Sequence, residues 1–316
     1  MTDFEWIVIV FFLALLFGVQ ILGYVIAKNI FHPYARSLED TRNNENEVSP
    51  GLMDLYDSWS VDRYRIKTSN KTEIQIYDVT PYIATNKFVV IVHGYTYTHH
   101  GAIKYAKMFM NLGFHVIMFD QRFHGASEGK NCTLGGYEKT DLYDVITEIF
   151  ARYTDNIYLG TFGESMGAAT VLMESEIDKR VHFVGSDCSF SDLETLATYL
   201  IHRKIKLPKW PFIPLANFYF RLFTGLSFKQ ISPIESVKKS TVPIFYAHGL
   251  EDKYILPTHT QLLFDATSTY KVLFWGENNS KHAGTARKNE AQYYEALKSF
   301  IETVLPVEEI KQEVKS

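Results

Sequence analysis

The pentapeptide Gly163-Glu164-Ser165-Met166-Gly167 lies between an alternating stretch, Asn156 to Phe162, and a run from Met166 to Met173 rich in Ala, Val, Leu and Met. Alternation followed by helix-forming residues predicts strand, tight turn and helix, with Ser165 at the turn. Such a turn needs a glycine on each side of the serine, because a side chain there would meet neighbouring backbone, and it lifts the hydroxyl clear of the sheet. Ser165 is therefore the expected nucleophile.

A hydroxyl needs a base, and the base needs a group to orient it, both from loops at the same sheet edge. Strand Val242 to Ala247 leads into His248-Gly249-Leu250-Glu251-Asp252, and strand Lys271 to Trp275 precedes the polar loop from Gly276 to His282. Of eleven histidines, His282 is the expected base, since it follows a late strand and precedes the closing helix Lys288 to Val304. Asp252 is the expected acid. Glu251, Asp187 and Asp192 are its rivals, although for Asp187 a helix cap or a loop hydrogen bond is the more ordinary role. Two backbone donors must face the developing oxyanion. Met166 N–H comes with the turn, at a helix N-terminus that favours negative charge. Tyr95 N–H is expected from the loop His93-Gly94-Tyr95-Thr96 after strand Phe88 to Val92, where the His93 side chain forms a loop hydrogen bond.

Together, His93-Gly94-Tyr95, the loop from Asp120 to Ser127, the Ser165 pentapeptide, the His248 to Asp252 turn and His282 resemble the alpha/beta-hydrolases. The resemblance covers Tyr56 to Leu305 and points to the serine aminopeptidase and monoacylglycerol-lipase-like branch, similar to membrane-anchored bacterial members. It implies an α/β fold with a mostly parallel eight-stranded sheet flanked by helices, a small helical cap, and a structural role for the Asp120 loop. It also implies hydrolysis through an acyl-serine, but the same motifs serve esterases, lipases, thioesterases, amidases and peptidases. A carboxylic-ester hydrolase for medium-chain or lipid-like acyl groups is the leading expectation. A peptidase or amidase, or a scaffold without activity, is the alternative.

The 316 residues, 46% apolar and 15% aromatic, fill one core of ordinary size. A net charge of -4 without a basic cluster argues against a nucleic-acid partner. No metal-ligand spacing occurs, so neither metal nor cofactor is expected. Cys132 and Cys188 are expected at one sheet edge, as free thiols or as a disulfide. Trp6 to Ala27 contains no charged residue, and about 22 residues at 1.5 Å each span a bilayer core of roughly 30 Å. Residues 1–31 are therefore expected as a retained single-pass anchor. A signal peptide cut after Ala27 is disfavoured by Asp3 and Glu5 ahead of the apolar run and by its length. Lys28, Arg36 and Arg42 after the span place the catalytic domain in the cytoplasm. Residues 32–55 read as a polar linker and 56–316 as the hydrolase domain, with a cap insertion at 190–231 whose aromatics form an acyl pocket. A chain beginning near Glu45 is accordingly expected to be soluble and active.

Overall fold

The computed structural model describes residues 1–153, 156–277 and 279–305; residues 306–316, the end of the expected domain, and Asn278 of the loop before His282 lie outside them. Eight strands form one sheet: β1 (Val61–Lys67), β2 (Glu73–Val79), β3 (Lys87–Val92), β4 (His115–Phe119), β5 (Tyr158–Glu164), β6 (Phe183–Asp187), β7 (Ile244–Gly249) and β8 (Lys271–Gly276). Their spatial order is β1-β2-β4-β3-β5-β6-β7-β8. β2 runs antiparallel to both β1 and β4, and from β4 to β8 all pairs are parallel.

The α-helices are α1 (Asp3–Phe31), α2 (Leu38–Val48), α3 (Leu52–Asp57), α4 (Ile103–Asn111), α5 (Glu138–Tyr153), α6 (Met166–Glu174), α7 (Leu193–Ile205), α8 (Lys209–Thr224), α9 (Pro233–Val237), α10 (Pro257–Ala266), α11 (Thr285–Lys288) and α12 (Glu290–Val304). Parallel strands need crossovers, and the helices cover both faces of the sheet. β3 shows the period of two: Val89 and Ile91 pack with α4 and α12, while Phe88, Val90 and Val92 pack with α5 and α6. In α5, Leu142, Val145, Ile146 and Ile149 recur at helical spacing and form the buried stripe. With both faces filled, the carboxyl ends of β3, β5, β7 and β8 open at one edge, where the loops carrying the site emerge.

Residues 32–55, expected as a linker, contain α2 and the first turn of α3 and are built into the domain. Ser37 caps α2 by accepting from Asp40 N–H. The buried face of α2 is polar: Thr41 meets Thr98 and His100, and Glu45 receives Arg287. Apolar periodicity cannot reveal such a face, since its burial is sustained by hydrogen bonds.

The expected cap is α7 and α8, and α1 joins its core. Ile26, Ala27 and Phe31 are buried with Phe212, Ile213 and Phe220. Phe31 stacks on Phe223 and Tyr24 lies edge-on to Tyr219. The helices approach closely, for a Cβ on Gly23 would stand 2.6 Å from that of Leu215. The loops add backbone bonds, with Cys132 N–H donating to Phe31 C=O and Tyr95 O–H to Asn29 C=O. Thus the cap aromatics expected to line an acyl pocket instead pack on α1 or, like Trp210 at 76% exposure, face outward. The first two-thirds of α1 remains exposed and apolar, and the whole helix is long and apolar enough to cross a membrane.

Candidate active site

β5 delivers Ser165 on the tight turn into α6. Its φ of 56° and ψ of -113° are strained for a non-glycine residue, and the flanks show what holds them. A Cβ on Gly163 would lie 2.2 Å from the Gly167 carbonyl oxygen, and one on Gly167 would lie 2.1 Å from that of Val92. Only glycines let β5 turn directly into a helix packed on β3. The Ser165 N–H donates to the Asp187 carbonyl, fixing the turn from the β6 side.

The loop after β8 brings His282 over this turn, with Ser165 Oγ 2.9 Å from His282 Nε2. On the opposite side of the ring, Nδ1 lies 2.6 Å from Asp252 Oδ2. Asp252, in the turn after β7, is buried, and its Oδ1 accepts N–H donors of Tyr254 and Ile255 at 2.7 and 3.0 Å. Burial pushes the Asp252 pKa up, but hydrogen bonds from His248 and His282 outweigh it and hold the carboxyl well below its ordinary range. Asp252 therefore stays ionised and keeps the hydrogen on His282 Nδ1, leaving Nε2 free to accept the serine proton.

His248, which the sequence pattern gives no role, braces the acid from its other side. Its Nε2 faces two acceptors, Asp252 Oδ2 at 3.1 Å and Ile255 C=O at 2.9 Å, so that nitrogen carries hydrogen, while Nδ1 lies 2.7 Å from Thr260 Oγ1. The sequence signal was the histidine four residues before the acid, at the end of the same strand. The rivals of Asp252 go elsewhere. Asp187 accepts from Tyr105 and Tyr293 hydroxyls, and burial and the nearby Glu164 charge raise its pKa. Asp192 caps α7 by accepting from Thr195 N–H, and Glu251 is exposed.

Tyr95 lies in the loop after β3 and Met166 opens α6; among the described contacts, neither N–H donates a hydrogen bond. The loop from Asp120 to Ser127 buttresses the Tyr95 loop. Gln121 N–H donates to His93 Nε2, Gln121 Nε2 donates to the His93 carbonyl, and Thr96 N–H donates to His124 Nε2. Burial lowers the His93 pKa to about 3, so its ring is neutral and Nδ1 donates to Gly94 C=O.

Ser165 and His282 open into a cavity of about 600 Å³ whose far wall is polar. There Glu164 is ion-paired with Lys104, and Glu45 with Arg287 at 2.5 Å. None of these four appeared in the site expected from sequence. Cys132 and Cys188 are buried free thiols. Cys188, Asp252 and His282 place ligand-type atoms within 4.8 Å of one another, but the hydrogen bonds just described already engage the latter two.

Residues 84–183 match the family described as serine aminopeptidase, S33. A Bacillus subtilis relative, uncharacterized protein YqkD, is 28% identical over 293 residues, spanning 92% of this chain and 95% of its own length. The Pyrococcus furiosus esterase Pf2001 structure superposes with a TM-score of 0.65 at 19% identity, over 80% of this chain and 94% of that one. Pyrococcus horikoshii acylaminoacyl peptidase gives 0.59 at 16% identity, over 81% of this chain and 44% of that one.

Proposed function

We propose that this chain, an alpha/beta-hydrolase by fold, is a membrane-tethered serine hydrolase that cleaves carboxylic esters through an acyl-serine intermediate. The observation that carries the reading is the unbroken relay at one sheet edge, Ser165 Oγ to His282 Nε2 at 2.9 Å and His282 Nδ1 to Asp252 at 2.6 Å. Ser165 Oγ attacks the acyl carbon as His282 takes its proton, and the Tyr95 and Met166 N–H groups receive the oxyanion. The carbon–alkoxy bond then breaks and His282 returns the proton to the departing alcohol. Water, deprotonated by His282, releases the acid and restores Ser165.

Ester is favoured over aminoacyl amide because, among the described residues, both carboxylates lining the cavity already face a cation, Lys104 or Arg287, and neither is left to hold a substrate ammonium. The opposing support, for a peptidase, is the match to the S33 family and the fold shared with an acylaminoacyl peptidase. Retention of α1 as a membrane span is supported by its packing: a cut after Ala27 would sever the helix where Ile26, Ala27 and Phe31 are buried in the cap. Lys28, Arg36 and Arg42 on the domain side favour a cytoplasmic catalytic domain.

The test is a fluorophosphonate probe with a panel of acyl esters and aminoacyl anilides on the full chain. Labelling and ester turnover are expected in the native protein, and Ser165→Ala is expected to lose both, turnover by a factor on the order of 10⁶. Labelling that survives in Ser165→Ala would overturn the serine assignment. Faster cleavage of aminoacyl anilides than of medium-chain esters would replace esterase by peptidase.

A further inference from the structure

An apolar groove of about 480 Å³ lies between α1 and α7. Leu22, Val25 and Ile26 of α1 face Leu196 and Leu200 of α7 across it. Tyr95 and Tyr254 line both this groove and the cavity of Ser165 and His282, and the Tyr254 ring centroid is 4.9 Å from that of His282. The groove therefore adjoins the cavity of the reaction centre, with Tyr95 and Tyr254 as their shared wall. Its volume falls in the range of ordinary small-molecule sites.

One wall is the same helix that continues, toward its N-terminus, as an exposed apolar rod including Phe11, Phe12, Leu16 and Phe17. Beside it α8 exposes Trp210, Phe218 and Leu222. An aqueous substrate pocket has no need of a membrane-spanning helix as its wall, whereas a lipid moving along that helix would meet apolar surface from the bilayer to the two tyrosines that border the cavity of Ser165. The two spaces that meet at Tyr95 and Tyr254 also differ in kind, the groove apolar and the cavity of Ser165 lined by Arg36, Lys104 and Arg287. An ester joining a long acyl chain to a polar alcohol has the same division.

We propose that the groove takes the acyl chain of a bilayer lipid, which passes laterally along α1 to Ser165 while its polar alcohol lies in the charged cavity. This deepens the esterase reading and rests on Ser165 as the nucleophile. In the reaction the Ser165 Oγ–acyl bond forms on the groove side, the carbon–alkoxy bond breaks, and His282 passes the serine proton to the alcohol leaving through the charged side. α1 is thus part of the substrate site as well as a tether.

The decisive experiment uses the full chain in phosphatidylcholine vesicles and a long-chain fluorophosphonate carrying a diazirine midway along its alkyl chain. After reaction at Ser165 and irradiation, cross-links are expected in the peptides covering 22–30 and 193–205. Cross-links confined to the charged cavity, around Arg36 and Arg287, would overturn the groove while leaving the nucleophile intact. Absence of any label on Ser165 would overturn the esterase reading itself, and the groove assignment with it. As a second measurement, Val25→Trp, which narrows the groove from its more exposed wall, is expected to slow hydrolysis of a monoacylglycerol in vesicles at least tenfold and to leave acetyl-ester turnover within about twofold. Each methylene held in the groove can add up to roughly fourfold to kcat/KM. Equal loss on acetyl and long-chain esters, or no loss on either, would count against an acyl groove.

Discussion

Asp252 and Asp187 are both buried carboxyls at the same edge of the sheet, and their surroundings give them opposite characters. Asp252 receives two histidines and two backbone N–H groups and stays charged, whereas Asp187 receives tyrosine hydroxyls and is pushed toward the neutral form by burial and Glu164. Asp252→Asn should therefore lower kcat by about 10⁴-fold through loss of imidazole orientation, and Asp187→Asn by less than about tenfold. Steady-state ester kinetics on the two variants decide it, and a reversed order would move the acid to β6. Glu174 at the end of α6 extends the same logic to stability. Its carboxyl is buried, and burial, the nearby Asp178 charge and a hydrogen bond with Asp178 raise its pKa well above the ordinary value. The sign follows from proton counts. Below the unfolded pKa both states are protonated; above it the unfolded chain ionises while the folded one keeps its proton, so stability falls as pH rises, by up to about 1.4 kcal/mol per unit, until the folded pKa is passed. Glu174→Gln removes that slope. Melting curves from pH 5 to 8 should show the variant gaining on the native protein as pH rises, and parallel curves would refute the assignment.

The turn from β5 into α6 works because two glycines admit backbone that any side chain would exclude. A Cβ at Gly167 meets the Val92 carbonyl at 2.1 Å, so β3 and α6 would have to separate, whereas a Cβ at Gly18 on the exposed part of α1 meets nothing within 4 Å. Gly167→Ala is expected to cost on the order of 3 kcal/mol or more and to abolish fluorophosphonate labelling, while Gly18→Ala leaves both melting temperature and labelling unchanged. A Gly167→Ala variant labelled at the native rate would show that the turn tolerates what its geometry forbids. This steric demand is also why the turn was legible in the sequence: close approach selects glycine, strand and helix impose different periods, and the loops after β3, β5, β7 and β8 are short enough for motif order to report position. Ser165, His282 and Asp252 meet where those loops converge. The elements that escaped reading carry no such periodic signal. The buried face of α2 is Thr41 and Glu45, whose partners Thr98, His100 and Arg287 are remote in sequence. The two ion pairs of the cavity join residues from four different elements, and no local pattern announces them. The cap aromatics were visible as a cluster, but composition does not say whether a ring faces a substrate, lipid or another helix, and here α1 claims many of them.

The relation of α1 to the rest of the molecule determines which truncations can survive. If α1 were only a tether on a linker, a chain beginning at Glu45 would fold and work in water. Instead its last third fills the cap core, where each of Ile26 and Phe31 is worth about 1.5–3 kcal/mol of burial, and α2 supplies the partner side chains of Thr98, His100 and Arg287. Removing residues 1–44 uncovers Phe220 and Phe223, takes away the α1 wall of the groove, and cuts α2 just before Glu45. That chain is expected to aggregate, or to be recovered with little fluorophosphonate labelling. A chain beginning at Gln20 keeps the packed third of α1 and all of α2, yet loses about 26 Å of largely exposed apolar helix at 1.5 Å per residue. It should remain folded and be labelled at Ser165, turn over acetyl esters at the native rate, and no longer sediment with membranes. Size-exclusion chromatography, carbonate extraction and labelling of the two chains side by side make the comparison. A monomeric, fully labelled chain from Glu45 would mean that the cap closes without α1. Loss of folding in the chain from Gln20 would mean instead that the exposed rod, and with it the bilayer, is needed to hold the cap in place.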